Sequence, residues 1–350
     1  MELSRLCEMQ GISGREELVR MAIFRECAEV LGEENVKIDR TGNVIAHKAC
    51  RKADAPRVMV AAHMDEVGLM VINAADDGLL QVRNIGGVDP RVLVSKRVKV
   101  GYDVPARDGK PAQEALSGVI GAMAIHLQSA ADRKNVLPIE NLYVDIGAKD
   151  KAEAEAKCPK GTYITFDTDY VEFGEGCVSA KALDDRVGCY TILELMRETY
   201  PCDVTFVFAV QEEVGCFGGK TAAYTLRPDI AIAVETTTAG DLAGVPEEKK
   251  VCRLGNGPVV SFMDRGTIYT YDLYKKVRAL ADAHNIPNQT KEAVCGGNES
   301  RSLMTAAGGS KVLAISIPSR YLHSPACVAD EKDIENTLEL LRLLPEALAL

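Results

Sequence analysis

Two adjacent glutamates, Glu212 and Glu213, follow an apolar run that predicts a buried strand. Residues 204–210 are rich in β-branched and aromatic side chains, and Pro201 and Gly215 bound the stretch. Two carboxylates at the end of a buried strand are costly unless a positive partner receives them. A solvated strand end is the simplest interpretation of such a pair taken alone, so the rest of the chain decides its meaning.

Other segments place metal-binding side chains at similar positions. Strand-like runs cover residues 57–68, 229–238 and 310–325, and a helical pattern over 181–199 begins with two aspartates. Because ligands of open α/β sheets bind beyond the carboxyl ends of the strands, these side chains should meet there. Imidazole and carboxylate donors together suit hard or borderline divalent ions. The additional candidates are His63, Asp65, Asp184, Asp185, Glu235 and His323.

The residue types leave some alternatives open at this point. Asp184 and Asp185 also suit the positive start of a helix without any ligand. No cysteine pair stands among the candidates, which argues against a closed structural zinc site. The pattern therefore favours a metal centre. Asp184 and Asp185 remain open as metal ligands or as acidic residues at the start of a helix.

Composition narrows the class of protein. The 350 residues are 47% hydrophobic and 26% charged, as in an ordinary globular protein, and the net charge is −10. Dispersed lysines and arginines disfavour nucleic-acid binding. No apolar run reaches the length of a membrane-spanning helix, and residues 1–30 lack a signal-peptide core. The 11 cysteines include no CxxC pair, so we expect free thiols and a cytoplasmic protein.

The elements that position these residues follow from periodicity. A capping box from Ser13 to Glu16 predicts the start of a helix within residues 11–31. Between residues 69 and 166, short alternating runs separated by Gly, Pro and Asp turns predict a small β-barrel-like domain. We expect a mixed-sheet α/β domain, formed by residues 1–68 and 167–350, into which this β-rich domain is inserted.

Five motifs in order carry a resemblance to a known family. They are AHMDEVG (62–68), ALDDRVG (182–188), QEEVG (211–215), AVET (233–236) and PSRYLHS (318–324). Together they resemble the M42 family of metallo-aminopeptidases, which also contains proteins once labelled endoglucanases. The similarity extends over nearly the whole chain through TGNVIA (41–46), GGVD (86–89), GVIG (118–121) and DIGA (145–148).

The resemblance implies two divalent metals per subunit, zinc or cobalt. Asp184 would bridge them. His63 and Glu235 would complete the shell of one metal. Glu213 and His323 would complete the shell of the other. This chain departs from the family at Glu235, where Asp is usual, so the metal preference is open.

Two further roles are implied next to the ligands. Asp65 would orient His63 through its second ring nitrogen without binding metal. Glu212 would be the general base that holds the attacking water between the metals. Asp185 stays open as a helix cap or an outer contact. The segment GGNES (296–300) stands where a GGTDA-like segment is common, which affects the expected substrate contacts.

The implied protein is a cytoplasmic aminopeptidase acting on peptides with a free amino terminus. Members of the family form large hollow assemblies, commonly dodecamers, and the inserted domain, residues 69–166, would build them. No motif marks the preferred amino-terminal residue.

Three rival functions share some of these sequence features. A glycoside hydrolase also needs a carboxylate pair, but it does not need two histidines, and the chain has no Trp and only 5% aromatic residues. A non-catalytic peptide-binding scaffold would be expected to lose the base or the bridging ligand, and both are present. A metal-dependent deacylase of small amides uses the same kind of centre and stays open.

Overall fold

A seven-stranded mixed sheet lies at the centre of the structure, a computed structural model that describes residues 1–50, 55–104, 114–131 and 133–348. Its strands are numbered by their order in the whole chain. They are β1 (Val36–Ile38), β2 (Val44–Lys48), β3 (Arg57–His63), β12 (Asp203–Ala209), β13 (Ile230–Thr238), β14 (Val259–Val260) and β15 (Lys311–Ser319). The strand order is β1-β2-β12-β3-β13-β15-β14.

The four central strands of this sheet run parallel. β12 pairs with β3, β3 with β13, and β13 with β15, whereas the pairs towards both edges are antiparallel. Residues 58–63 of β3 are all buried, as expected for a parallel strand covered on both faces. The parallel strands therefore carry their carboxyl ends to one side of the sheet.

The described residues contain eight α-helices. They are α1 (Leu3–Glu8), α2 (Glu17–Leu31), α3 (Lys151–Lys157), α4 (Leu183–Leu195), α5 (Phe217–Leu226), α6 (Tyr271–Ala283), α7 (Ser300–Thr305) and α8 (Glu331–Leu348). The helix α4 packs on β3 and β13 and contacts α1, α2 and α8, and α5 packs with α7. Across the described ranges, no helix has both the length and the apolar character needed to cross a membrane.

A closed six-stranded barrel lies between β3 and α4 in the sequence. Its strands are β4 (Gly68–Ala74), β5 (Leu80–Ile85), β6 (Arg97–Val100), β7 (Leu116–Gly121), β8 (Tyr143–Asp145) and β9 (Tyr163–Phe166). They close in the order β4-β5-β8-β7-β6-β9 around their own apolar core. The strands β10 (Val171–Phe173), β11 (Cys177–Ala180) and β16 (Cys327–Asp330) form a small third sheet. The predicted fold class, a mixed α/β sheet with a small barrel, is confirmed.

The predicted capping box is wrong. The helix α2 begins at Glu17, and no side chain caps its amino terminus. The Ser13 hydroxyl instead donates to the Asp65 carboxylate, and the Glu16 carboxylate accepts from the Gly14 backbone N–H. A tertiary contact therefore uses the side chain that the local pattern assigned to a helix cap.

Candidate metal centre

The candidate side chains meet at the carboxyl ends of the parallel strands. His63 is the last residue of β3, and Glu212 and Glu213 follow the end of β12 at Ala209. Asp184 lies in the first turn of α4. His323 lies in the loop after β15. The structure thus brings together residues that are up to 260 positions apart in the chain.

The strand that carries Glu235 is longer than predicted, because β13 does not end at this residue. Ala233 is the last residue of β13 that pairs with β3, opposite Ala61, so Glu235 is level with His63. Beyond that point β13 continues to Thr238 because β15 still pairs with it. This register brings the Glu235 side chain next to the His63 ring.

The Asp184 carboxylate lies between the two histidines. Its Oδ1 is 3.4 Å from His63 Nε2, and its Oδ2 is 3.2 Å from His323 Nε2. Glu235 Oε2 is 3.7 Å from His63 Nε2, and Glu213 Oε1 is 3.3 Å from His323 Nε2. Two ligand atoms at about 2.1 Å from a tetrahedral zinc lie about 3.4 Å apart. These separations therefore suit donors that share a metal on each side of Asp184.

Grouping the donor atoms by distance adds Asp185 to the cluster. Donor atoms of His63, Asp184 and Glu213 all lie within 4.8 Å of one another, and so do those of His63, Asp185 and Glu235. The Asp185 carboxylate also accepts from the backbone N–H of His63, at 3.3 Å, and of Gly188, at 3.1 Å. Asp185 thus caps the first turn of α4 and supports the His63 backbone, which matches both roles left open for it.

Asp65 connects the histidine side of the cluster to the glutamate pair. Its carboxylate lies 3.4 Å from His63 Nδ1, whose nearer contact, at 3.1 Å, is the Asp65 carbonyl oxygen. The backbone N–H groups of Glu212 and Glu213 donate to the two carboxylate oxygens at 2.9 Å and 3.2 Å. The Ser13 hydroxyl donates to the same group at 2.6 Å. Asp65 therefore holds the backbone of the glutamate pair as well as the His63 ring.

Several residues next to the cluster have left-handed backbone conformations although they are not glycines. Gln211 has φ 54° directly before the glutamate pair, and Ala182 has φ 56° two residues before Asp184. Tyr321 and His323 have φ 59° and 55°. Such conformations cost energy and concentrate at functional sites. At Gln211 the conformation turns the chain so that both following N–H groups point to Asp65.

Negative charge dominates the cluster. Seven carboxylates and two imidazoles converge, and in the part of the chain that the structure describes no lysine or arginine forms an ion pair with these carboxylates. Burial raises the pKa of Glu213 to about 8 and the pKa of Glu235 well above its usual range. Burial opposes ionisation of Asp184 too, but its contacts with both histidines lower its pKa. The carboxylates are Asp65, Asp184, Asp185, Glu212, Glu213, Glu235 and Glu299.

Both histidines also have raised pKa values, which favour their charged form. Burial disfavours the charged form of His63, but hydrogen bonds to Asp184 and Asp65 outweigh it and raise its pKa well above the usual range. For His323, contacts with Asp184 and Glu213 likewise outweigh burial and raise the pKa to about 9. In both cases the surrounding carboxylates attract positive charge. Divalent cations held by nitrogen and oxygen donors would satisfy this demand, so the donor set fits a metal centre.

Glu299 is a part of the cluster that the sequence did not single out. Its side chain is fully buried, and among the described residues neither carboxylate oxygen has a hydrogen-bond partner. Its backbone N–H donates to Glu235 Oε1 at 3.4 Å. The unusual GGNES segment drew attention to this position in the sequence, but it did not predict the contact between Glu299 and Glu235.

Two further contacts, one with the cluster and one beside it, were not predicted from the sequence. The backbone of Gly87, in the loop after β5, hydrogen-bonds to the His323 ring, and a Cβ at Gly87 would lie 3.3 Å from its Nδ1. Lys181 donates to both oxygens of Glu66 at 2.9 Å, and Arg186 contacts Glu66 at 3.5 Å. These groups are buried and fix the turn that follows Asp65.

Comparisons with known proteins agree with this geometry. The family described as M42 glutamyl aminopeptidase matches residues 42–340. A putative aminopeptidase of Acetivibrio thermocellus is 38% identical over 342 residues, which cover 97% of this chain and 96% of the relative. An aminopeptidase structure from Desulfurococcus kamchatkensis has a TM-score of 0.90 at 33% identity and covers 99% of this chain and 95% of that one.

A further solved structure bears on assembly. The TET1 peptidase of Pyrococcus horikoshii has a TM-score of 0.83 at 32% identity, with 98% of each chain covered. That protein can assemble into a tetrahedron or a large octahedral shell.

In the metal-free protein, the free energy of unfolding should fall as pH rises from about 5 to about 9. Glu213 ionises near 4.5 when unfolded but near 8 when folded, so rising pH favours the unfolded state across that range. His323 acts in the same direction, because its stabilising charge is complete below 6.5 and is lost through about 9. Melting temperatures measured at several pH values should show a much shallower slope for the metal-saturated protein.

The Glu213→Gln variant is the matched control for this measurement. In its metal-free form the pH slope should be shallower than in the metal-free wild type, because one raised carboxyl pKa is gone. Equal slopes with and without metal would show that these groups are not coupled to a cation.

Proposed function

The chain belongs to the M42 family of aminopeptidases, and on that premise we propose that it is a two-metal enzyme in which Glu212 activates water. Hydrolysis of peptides at their amino terminus follows from the family itself. The observation that carries the two-metal proposal is the Asp184 carboxylate, whose two oxygens face two different histidines at 3.4 Å and 3.2 Å.

The proposed ligands divide into two sets around Asp184. His63 and Glu235 would hold one ion. Glu213 and His323 would hold the other. Five donors from separate segments exceed what one catalytic zinc requires. Either zinc or cobalt is compatible with nitrogen and oxygen donors of this kind.

The chain's own residues supply the proton transfer. When bound, the two ions acidify a water molecule and polarise the scissile carbonyl group. The Glu212 carboxylate accepts a proton from the attacking water and then donates it to the leaving amine. Asp65 keeps the Glu212 backbone and the His63 ring in place through the contacts described above.

We propose that the barrel segment, residues 69–166, governs assembly. It contains none of the proposed ligands, although the Gly87 backbone hydrogen-bonds to His323. Large apolar side chains are exposed along β7 and the residues that follow it, and contiguous exposed apolar surface marks protein interfaces. The shell-forming TET1 peptidase supports a large homo-oligomer, and the family resemblance favours a dodecamer. The exposed residues are Leu116, Val119, Met123, Ile125, Leu127 and Val136.

We place the enzyme in the cytoplasm on the basis of its cysteines. None of the 11 lies in a CxxC pair, and a reducing compartment keeps such thiols reduced. Its substrates are then peptides with a free amino terminus that arise in the same compartment.

Activity should depend on two divalent ions per chain. Exhaustive chelation is expected to abolish hydrolysis of a panel of aminoacyl-p-nitroanilides, and Zn²⁺ or Co²⁺ should restore it. Metal analysis of the restored enzyme should approach two ions per chain. Full activity in a thoroughly demetallated sample would end the proposal, and the panel would also identify the preferred amino-terminal residue.

The two neighbouring glutamates should respond differently to the same substitution. Glu212→Gln keeps every proposed ligand but cannot accept a proton, so the rate should fall about 10²–10⁴-fold with metal content unchanged. Glu213→Gln removes an anionic ligand, so it should weaken the binding of one metal and regain activity in excess metal. Rate and metal content of both variants are the measurements.

Each alternative outcome for this pair has a definite meaning. Metal loss in Glu212→Gln with full metal content in Glu213→Gln would reverse the two roles. A fully active Glu212→Gln enzyme with its metals bound would show that the proposed mechanism is wrong.

The double substitution Ile125→Asp and Leu127→Asp should break the assembly. Both side chains are highly exposed, at 70% and 66%, and a negative charge in an apolar interface disfavours association. Light scattering coupled to size-exclusion chromatography should show smaller species than for the wild type. The Lys276→Glu change on the exposed face of α6, outside residues 69–166, is the control for charge alone. A strictly monomeric wild type would contradict the proposal.

A further inference from the structure

Glu212, the proposed base, has one side-chain hydrogen bond among the residues that the structure describes. The Cys216 thiol donates to Glu212 Oε1 at 3.1 Å. The backbone N–H of Glu212 donates to Asp65 Oδ1 at 2.9 Å. Backbone and carboxylate of the base are thus held by two different residues, neither of which belongs to the proposed ligand set.

A tight turn brings the thiol to this position. The N–H groups of Gly215 and Cys216 both donate to the Glu212 carbonyl oxygen, at 2.9 Å and 2.8 Å. Cys216 has a left-handed conformation, φ 55°, and immediately precedes α5. The thiol does not cap that helix, because no side-chain cap hydrogen bond is formed there. Its contact with Glu212 is therefore not a by-product of helix capping.

The thiol is suited to donate rather than to react. Burial raises the pKa of Cys216 far above its usual range, and the Glu212 carboxylate raises it further. A thiol in such surroundings keeps its proton at neutral pH and is a poor nucleophile and a poor metal ligand. What remains is an S–H group with a carboxylate acceptor.

We propose that Cys216 is a positioning residue that orients the Glu212 carboxylate through its thiol hydrogen bond. This inference rests on the proposed function, in which Glu212 is the general base. With Oε1 occupied by the thiol, rotation of the carboxylate is restricted and Oε2 is left to face the attacking water. Geometry of this kind decides how well a base transfers a proton, and small misplacements lower the rate.

Three substitutions in the metal-loaded enzyme test the role. Cys216→Ala removes the donor and should lower kcat about 3- to 30-fold, with KM and metal content unchanged. Cys216→Ser keeps an O–H donor and should recover most of the wild-type kcat. Cys177→Ala is the matched control, since Cys177 is also half-buried but lies on β11, outside the proposed machinery.

Infrared spectroscopy reports on the hydrogen bond itself. The S–H stretching band lies where other protein groups do not absorb, and the difference between wild type and Cys216→Ser isolates the Cys216 band. Donation to a carboxylate should shift that band to lower frequency. In Glu212→Gln, where the acceptor is a neutral amide, it should move back towards the frequency of a free thiol.

The outcomes separate this inference from the proposed function. Unchanged kcat in Cys216→Ala, or an S–H band that ignores Glu212→Gln, would overturn the role of Cys216 even if Glu212→Gln is inactive. Metal loss or a raised KM in Cys216→Ala without recovery in Cys216→Ser would also overturn it, since that pattern indicates a packing role. A fully active Glu212→Gln enzyme would instead contradict the proposed function.

Discussion

Concentrated negative charge at the carboxyl ends of four parallel strands is the constraint on which the rest of the site depends. Carboxylates in a buried site repel one another and are costly to ionise. The pKa values divide accordingly. Glu213 and Glu235 have raised values, whereas Asp184, between His63 and His323, has a lowered one. Positive charge brought by divalent cations would allow these carboxylates to be ionised together.

Such a site needs a rigid frame, and the chain builds it in two ways. Strand register fixes His63 and Glu235, because both lie on paired parallel strands at the same level. Buried hydrogen bonds fix the loops. The Asp65 carboxylate receives the Ser13 hydroxyl and the backbone of the glutamate pair, and Glu66 next to it receives Lys181. A single turn after β3 thus joins the amino-terminal segment, β12 and α4, so the side chains proposed as ligands are held in place by the protein itself.

The sequence predicted what depends on periodicity and strand polarity. Buried apolar runs followed by histidine or carboxylate indicated parallel strands. The rule that ligands bind at the carboxyl ends of such strands predicted that the candidate side chains meet there. Contacts made by loops could not be predicted in this way. Ser13 fits a capping box locally, and only the folded chain shows that Asp65 is its partner. The contact of Cys216 with Glu212 depends on a left-handed turn that no residue type in QEEVGC requires. Likewise, β13 extends past Glu235 because its neighbour β15 is longer than β3.

Glu235 and the GGNES segment, the two departures of this chain from the usual family pattern, lie next to each other in the structure. Glu235 stands where Asp is usual and has one more methylene to hold in position. Its Oε1 receives the backbone N–H of Glu299, from the unusual GGNES segment, while its Oε2 faces His63. Residues 298–300 of that segment are buried, so this part of it does not offer an exposed surface to substrate. The backbone of the altered segment therefore supports the side chain of the altered residue, Glu235.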